Sequence, residues 1–388
     1  MRILVLSFYY SPDIGPGALR IEALIEQLIQ IGGKDIEIDL ITTMPNRYGS
    51  LSLEAELSEV IGPLKINRVI LPKHKNGILD QSFSFLSFAK EVLKISRKKN
   101  WDIIFATSSR LMTAALAAWI ANKKNTKLYL DIRDLFTDTM EDILKEKPLR
   151  FVLPIFKLIE KKTFRSAHKI NIVSEGFKEY INLIVPNLKP RVLTNGIDHD
   201  FLDFDFSLKN EKKFFTLTYA GNIGDGQGLH NILDGVAEEF KGVVVFQIIG
   251  DGGRKKDLEL LIKNHNLINV VLIKPMKRRD LFMKYAESDA LFLHLNNHKA
   301  FRRVLPSKLF EYAATGKPII AGVSGYASKF IKKNIPGVEV FDPCNHSQMF
   351  RAIEKTILNP SIVDRSQFCE NYLRSNILKE LAKDILSL

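Results

Sequence analysis

Residues 7–30 read SFYYSPDIGPGALRIEALIEQLIQ and follow the apolar run Ile3-Leu4-Val5-Leu6. A short strand, a loop holding Gly15 and Gly17, and an apolar stripe of Ile21, Leu24, Ile25 and Leu28 predict a strand–glycine loop–helix unit. A dinucleotide fingerprint would need a third glycine where Arg20 stands, and an acidic residue closing the next strand. That strand, IEIDLITT, ends in Thr42 and Thr43, with Asp39 alternating on its surface. A nicotinamide-type turn therefore lacks two parts. What is left is a helix start with exposed N–H groups and an arginine one turn in, which suits an anion. A plain tight turn with Arg20 on a solvated helix face explains the residues equally well.

The same alternation runs through the chain. Strands are expected near 2–7, 36–42, 67–71, 103–107, 127–131, 169–174 and 191–194, then near 214–220, 243–249, 269–273, 289–295, 317–321 and 338–341. Several are unbroken apolar runs, such as Val243-Val244-Val245-Phe246, as in parallel strands covered on both faces by helices. A second stripe, Leu229, Ile232, Leu233 and Val236, predicts another amphipathic helix. The fold class is α/β, with doubly wound parallel sheets. After RVLTNGID the segment HDFLDFDFSLKNEKKF is charged and without period, and FFTLTYAGNIG then opens a second glycine loop. This predicts two Rossmann-like domains, 1–200 and 201–365, with a closing helix 366–388 returning to the first. In such sheets ligands lie outside the carboxyl ends of the strands.

Composition narrows the setting. The 388 residues are 46% hydrophobic and 26% charged, with a formal charge of +12. That charge favours polyanionic partners. The two cysteines, Cys344 and Cys369, form no disulfide framework or metal spacing. The first residues read as a strand rather than a leader, and no apolar run approaches the roughly 18–20 residues that span a bilayer. A cytoplasmic location is expected. Nucleic acid is not expected as a partner, because neither stacking aromatics among basic residues nor a recognisable module is present.

Three constellations follow strand ends in the second half. In YAGNIGDGQGLHNIL, Gly221, Gly224, Gly226 and Gly228 crowd one turn, more than a structural turn usually needs, which favours close approach to a ligand. In IIGDGGRKKDLELL, Gly250-Asp251-Gly252-Gly253 precedes Arg254, Lys255 and Lys256. One of these cations meeting phosphate is the functional reading, and a solvated helix start is the bland one. In RRVLPSKLFEYAATGKPIIAG, Pro306 and Ser307 start a helix that Gly316 stops. Its first N–H groups, Lys308 to Phe310, suit a diphosphate, and Glu311 suits ribose hydroxyls. A capping box needs a spacing of three, and Ser307–Glu311 is four. His294 and His298 read as a cleft lining or a surface loop rather than a metal site.

These stretches, in this order, resemble the GT-B glycosyltransferases of family 4, in the branch that builds bacterial O-antigen and capsule units. FYYSPDIGPGALR, TTMPNRYGS, DIRDLFTD, NIVSEGFKEY, LTNGID, YAGNIGDGQGL, IGDGG, VLPSKLFEYAATGKPIIAG and FCENYLRSNILKELAKDIL carry the resemblance over nearly the whole chain. It implies two domains facing across a cleft, and a retaining, metal-independent transfer from a nucleotide sugar, with uracil as the base. The leaving phosphate oxygen would accept the acceptor's proton, and no cofactor is needed. Glu311 matches the ribose-binding glutamate. Ser307, Lys308 and Leu309 match the helix start near the diphosphate, and Gly221, Asn222 and Gly224 the loop facing it. Gly250, Asp251 and Lys255 fall in the next loop, and Pro275 and Met276 in the base-pocket segment. Gly15, Gly17, Arg20 and Asn46 are expected on the acceptor side.

The sequence departs from the family at three points. The first position of the E-x7-E motif is Arg303. The usual basic pair is Asn222 and Gln227, so the cation for the diphosphate falls to Lys255, Arg303 or Lys308. Arg133 stands where relatives carry a histidine before Asp134. Arg133, Asp134, Lys308 and Glu311 are the candidates for the reaction. The implied acceptor is a polyprenyl-diphosphate-linked sugar, which makes an anionic membrane surface a further expected partner, with the protein peripheral on the inner face of the membrane. LKEKPLRFVLPIFKLIEKKTFRSAHK supports this, since Lys145, Lys147, Arg150, Lys157, Lys161, Lys162 and Arg165 flank Val152, Ile155, Phe156 and Ile159. SFSFLSFAKEVLKISRKK is a second candidate. The alternatives are a nucleotide-sugar epimerase of the same fold and a non-catalytic sugar-nucleotide-binding subunit.

Overall fold

The computed structural model describes residues 1–13, 15–46, 53–72, 78–108, 110–145, 148–207 and 213–388. Residues 47–50 of TTMPNRYGS and Lys147 lie outside them. The chain forms two compact units, Met1–Asn195 with Arg374–Leu388, and Gly196–Leu373.

In the first unit the strands are β1 (Arg2–Leu6), β2 (Glu37–Thr43), β3 (Ser58–Ile61), β4 (Leu64–Val69), β5 (Ile103–Thr107), β6 (Lys127–Ile132), β7 (Lys169–Ile172) and β8 (Arg191–Val192). They lie in the order β3-β4-β2-β1-β5-β6-β7-β8, parallel except for β3 against β4. Val5 pairs with Leu40 on one side and Phe105 on the other. With both faces covered, all five residues of β5 are buried. The helix Pro16–Gly32 buries Ile21, Leu24, Ile25 and Leu28 on this sheet.

Of the β3–β4 hairpin only β3 was not among the expected strands; β4 answers to the strand expected near 67–71 and starts three residues earlier. The hairpin's turn is Gly62-Pro63, where Gly62 takes φ 57°, a conformation glycine adopts without strain. Its outer strand is exposed at Val60 and Ile61, so it lacks the buried run by which the other strands are read.

The second unit holds β9 (Phe215–Asn222), β10 (Val244–Asp251), β11 (Val270–Ile273), β12 (Ala290–His294), β13 (Ile319–Gly322) and β14 (Val338–Phe341). All are parallel, in the order β11-β10-β9-β12-β13-β14. The strand order reverses between β9 and β12 here, and between β1 and β5 in the first unit. Ligand crevices of doubly wound sheets open at these points.

Boundaries differ from the sequence reading. The units change at Asn195/Gly196, not at residue 200, because Ile197 already bridges Leu373 and donates its N–H to Tyr372 O (2.8 Å). The helix expected over 366–388 breaks at Tyr372–Leu373. Its first part, Ser366–Asn371, stays in the second unit, where Phe368 and Tyr372 pack on Phe310 and Phe330. Its second part, Arg374–Leu386, belongs to the first unit and buries Leu378, Leu381, Ala382 and Ile385 in the core that holds Ile21 and Leu24. The amphipathic stretch after Gly228 is two short helices, Leu229–Ile232 and Val236–Glu239, separated where Gly235 takes φ 75°.

Candidate functional site

In the second unit the glycine loop after β9 is clamped from both neighbouring strands. On the β10 side, Ile223 N donates to Asp251 O (2.9 Å) and Arg254 N to Ile223 O (2.9 Å). On the β12 side, Asn296 N donates to Gly226 O (2.8 Å), and the Asn296 amide to Asp225 O (3.0 Å). Beside them stands His294. Its Nε2 accepts from Cys344 N (3.0 Å), so its Nδ1 carries the proton and donates to Gln227 O (2.6 Å). Burial pulls its pKa down to about 4, against the opposing pull of the Gln227 carbonyl. His294 is therefore a fully buried, neutral cross-link between β12 and the glycine loop, neither a cleft lining nor a surface residue.

Packing accounts for much of the glycine density that the sequence assigns to a ligand. A Cβ on Gly226 would meet the Phe301 ring (3.0 Å), and one on Gly228, which has φ 57°, would meet Asn296 (2.8 Å). Gly221 lies under the Tyr219 hydroxyl. Gly250 lies against the Gly221 carbonyl, with no room for a side chain. The Asn222 amide, in the place of a family cation, donates to Gln227 Oε1 (2.9 Å).

Of the three cations after β10, Arg254 is taken by Asp225 (2.9 Å) and Asp257 (2.8 Å), and these carboxylates raise its pKa. Lys255 is half-buried and has no ion pair among the described residues; Lys256 is exposed. Asp251 turns its carboxylate onto Gly252 N (2.8 Å). Pro275 and Met276 follow β11, both half-buried, and Met276 packs on the core that holds Tyr285 and Leu309.

The helix Lys308–Ala314 starts after Ser307, whose side chain makes no cap. Two of the three N–H groups expected to face a diphosphate are already bonded. Leu309 N donates to Pro306 O (3.2 Å) and Phe310 N to Ser307 O (3.1 Å), in a tight first turn. The diphosphate reading thus shifts from backbone to side chains. Glu311, 8% exposed, accepts from Lys308 Nζ (2.7 Å), and the same ammonium reaches the Tyr285 hydroxyl (3.3 Å). Glu311 is thereby a paired carboxylate at the first turn of its helix. Arg303 closes the turn Ala300–Arg303 just before this helix. Arg278, which the sequence reading missed, is ion-paired with Asp198 (2.5 Å), the last residue of LTNGID, and with Asp200 (3.2 Å), in the charged segment without period that follows.

In the first unit, Gly15 starts the helix Pro16–Gly32 in extended conformation, and Leu19 N donates to its carbonyl (3.1 Å). Gly17 is buried, with Arg133 Nη1 where an added Cβ would make ordinary contact (3.6 Å). Arg133 donates to Pro16 O (2.9 Å), and its backbone N–H to Ser108 Oγ (3.0 Å). Burial, and then the charge of Arg20, pull the Arg133 pKa down to about 10. Asp134 beside it is exposed. Asn46 ties its loop down through Thr43 Oγ1 (2.6 Å) and Met44 O (2.8 Å).

Arg20 corrects both sequence readings. It is neither on a solvated face nor open to a ligand. It is fully buried, held by Asp131 (2.8 and 3.0 Å) and by the carbonyls of Thr194 (2.6 Å) and Leu193 (2.9 Å). Arg110 and Tyr9, both half-buried just beyond the ends of β5 and β1, are residues that the sequence reading passed over.

No helix among the described residues is long and apolar enough to cross a membrane. The helix Leu153–Arg165 turns Leu153, Glu160, Thr163 and Phe164 inward. The expected apolar face is also corrected. Val152, Phe156 and Ile159 are half-buried, while Phe151, Ile155 and Leu158 project outward among exposed Arg150, Lys157, Lys161 and Lys162.

Comparison with known proteins agrees with this architecture. Residues 200–374 match the family model of the glycosyl transferases group 1. An Escherichia coli (strain K12) protein named as a colanic acid biosynthesis glycosyl transferase, WcaI, is 28% identical over 48% of the chain and 46% of its own length. The chain thus spans about half of that relative. A 2-deoxystreptamine N-acetyl-D-glucosaminyltransferase of Niallia circulans is 26% identical over 74% of each chain. Among solved structures, Anabaena HepE in complex with UDP-glucose superposes over 100% of both chains with a TM-score of 0.69 at 15% identity. The fold is GT-B.

Proposed function

We propose that this chain, whose residues 200–374 match the family model of the glycosyl transferases group 1, is a glycosyltransferase that moves a sugar from a uridine-diphosphate sugar to a lipid-diphosphate-linked saccharide. The product is a cell-surface polysaccharide of the O-antigen or capsule kind. The observation that carries the reading is the Lys308–Glu311 pair, in which a nearly buried carboxylate and an ammonium share the first turn of one helix. Such a pair offers an acceptor for ribose hydroxyls and a cation for an adjacent phosphate. The UDP-glucose bound by HepE and the colanic acid biosynthesis in the WcaI name support the donor and product classes.

In the proposed reaction the bond from the sugar C1 to the diphosphate oxygen breaks and a C1–O bond to the acceptor hydroxyl forms on the same face. The hydroxyl proton passes to the leaving diphosphate oxygen, so the configuration at C1 is retained. Charge grows on the diphosphate as the bond breaks. Lys308, Lys255 and Arg303 are assigned to meet it, in place of a metal ion. Ser307, Leu309 and the loops at Gly221–Gly224 and Gly250–Asp251 shape the donor site, and Pro275 and Met276 line the base. The first unit takes the acceptor, with Gly15, Gly17, Asn46, Arg133 and Asp134 as its residues. The protein sits peripherally on the inner face of the membrane, where its lipid-linked acceptor resides.

The test is to offer the purified chain a panel of nucleotide sugars with a lipid-diphosphate sugar, following transfer and donor hydrolysis. Uridine donors are expected to be consumed. Tight binding of NAD with no binding of any sugar nucleotide would overturn the reading.

A further inference from the structure

With Arg20 sealed in the core and Arg133 turned onto the Pro16 carbonyl, the first unit needs another cation if it is to hold a charged acceptor, and one residue meets that need by its position. Arg110 lies three residues beyond the end of β5, and Phe8 and Tyr9 follow β1, so the three meet where the strand order of the first sheet reverses. The Arg110 guanidinium lies 3.9 Å from the centre of the Phe8 ring, and its Nη2 donates to the Tyr9 hydroxyl (2.8 Å). Phe8 is fully buried, so the ring is a fixed platform. Two residues earlier, Ser108 ties the same loop to β6 by accepting from Arg133 N (3.0 Å).

Among the described residues no carboxylate balances its charge. Arg20, Arg68, Arg254 and Arg278 each hold a carboxylate. Arg110 is half-buried and has none among the described residues; the group that accepts from it is a neutral phenol. A guanidinium that is partly desolvated, fixed in orientation and without a carboxylate among the described residues is arranged for an anion that arrives with a ligand. Its planar fork matches phosphate oxygens in pairs.

We propose that Arg110 is the anion anchor of the first unit, taking a phosphate or diphosphate ester on the sugar acceptor. The assignment rests on the reading that the acceptor carries such a group. The donor's diphosphate offers the same chemistry, so the experiment must separate the two sources.

The full chain is titrated with inorganic pyrophosphate by calorimetry, alone and after saturation with UDP, and UDP affinity is measured in parallel. With UDP in place, wild type is expected to bind pyrophosphate, R110Q at least about tenfold more weakly, and R110K in between, with UDP affinity unchanged. Y9F keeps the charge but releases the guanidinium, and is expected to lose about two- to threefold. Its intact fold keeps the test valid if R110Q is unstable. Equal pyrophosphate binding by wild type and R110Q, or none by wild type beside UDP, overturns the proposal. A matching loss of UDP affinity in R110Q also overturns it, by placing the cation on the donor. Failure of wild type to bind UDP at all counts against the donor reading, while the pyrophosphate comparison still decides Arg110.

Discussion

Arg20 and Asp131 form a fully buried ion pair, Nε to Oδ2 at 2.8 Å, that joins the first helix of the chain to the end of β6. Asn171 donates to the same carboxylate (2.7 Å) and accepts from Leu193 N (2.8 Å), so β7 and the segment after β8 enter the network. Removing one partner strands a charge in the core. Arg20→Met or Asp131→Ala is expected to cost about 3–5 kcal/mol of stability in urea unfolding. The folded fraction is expected to keep its UDP affinity. A loss under 1 kcal/mol, with an acceptor-specific defect instead, would restore Arg20 as a ligand residue.

Glu311 and Lys308 act as a pair on the donor. Glu311→Ala is expected to weaken UDP binding by roughly tenfold to a hundredfold, about 1.4–3 kcal/mol. Lys308→Met removes the positive member and leaves Glu311 unpaired. It is expected to lower kcat more than it raises the donor KM, since its charge matters most as the diphosphate leaves. Calorimetry with UDP and steady-state transfer separate the two effects. Unchanged UDP affinity in Glu311→Ala would remove the ribose assignment.

Parallel strands were legible because burial on both faces writes them as unbroken apolar runs, as in Val243-Val244-Val245-Phe246. The helix carrying Glu311 was legible from Pro306, Ser307 and Gly316. Charged residues were less so. A side chain's role depends on what stands opposite it, and the partner of Arg20 lies 111 residues away in sequence. The same holds for Arg254, whose Asp225 sits in the preceding glycine loop. Glycine counts misled in a related way. Gly226 and Gly228 answer to Phe301 and Asn296, which no local pattern connects to them.

His294 makes stability depend on pH. Its folded pKa, about 4, lies below the ordinary value of 6.5, because burial disfavours the cation. Between those values the unfolded chain binds more protons than the folded one. The contribution is therefore complete above about pH 6.5 and is lost as pH falls toward 4. At pH 5 the loss is expected to reach about 2 kcal/mol relative to neutral pH. His294→Asn removes this titration, so its stability, lower at pH 7, is expected to fall less between pH 7 and 5. Parallel urea curves at both values check the difference. Equal slopes for the two proteins would mean that His294 titrates normally.

The outward stripe Phe151, Ile155 and Leu158 gives the membrane proposal a specific face. Phe151 is 75% exposed, Ile155 59% and Leu158 53%, on a helix end whose other exposed residues include Arg150, Lys157, Lys161 and Lys162. Apolar side chains of this size enter the acyl boundary, while each cation near an anionic surface adds about 1 kcal/mol. Flotation with vesicles containing phosphatidylglycerol is expected to carry the protein upward at low salt and less at high salt. Replacing all three apolar residues by serine is expected to abolish the salt-resistant part of binding, and replacing Lys157, Lys161 and Lys162 by glutamine the salt-sensitive part. The two losses differ because apolar insertion is unscreened by ions and surface attraction is not. Binding that survives both triple substitutions would move the docking face to another helix, of which Ile78–Arg97 is the next candidate through exposed Phe83 and Leu86.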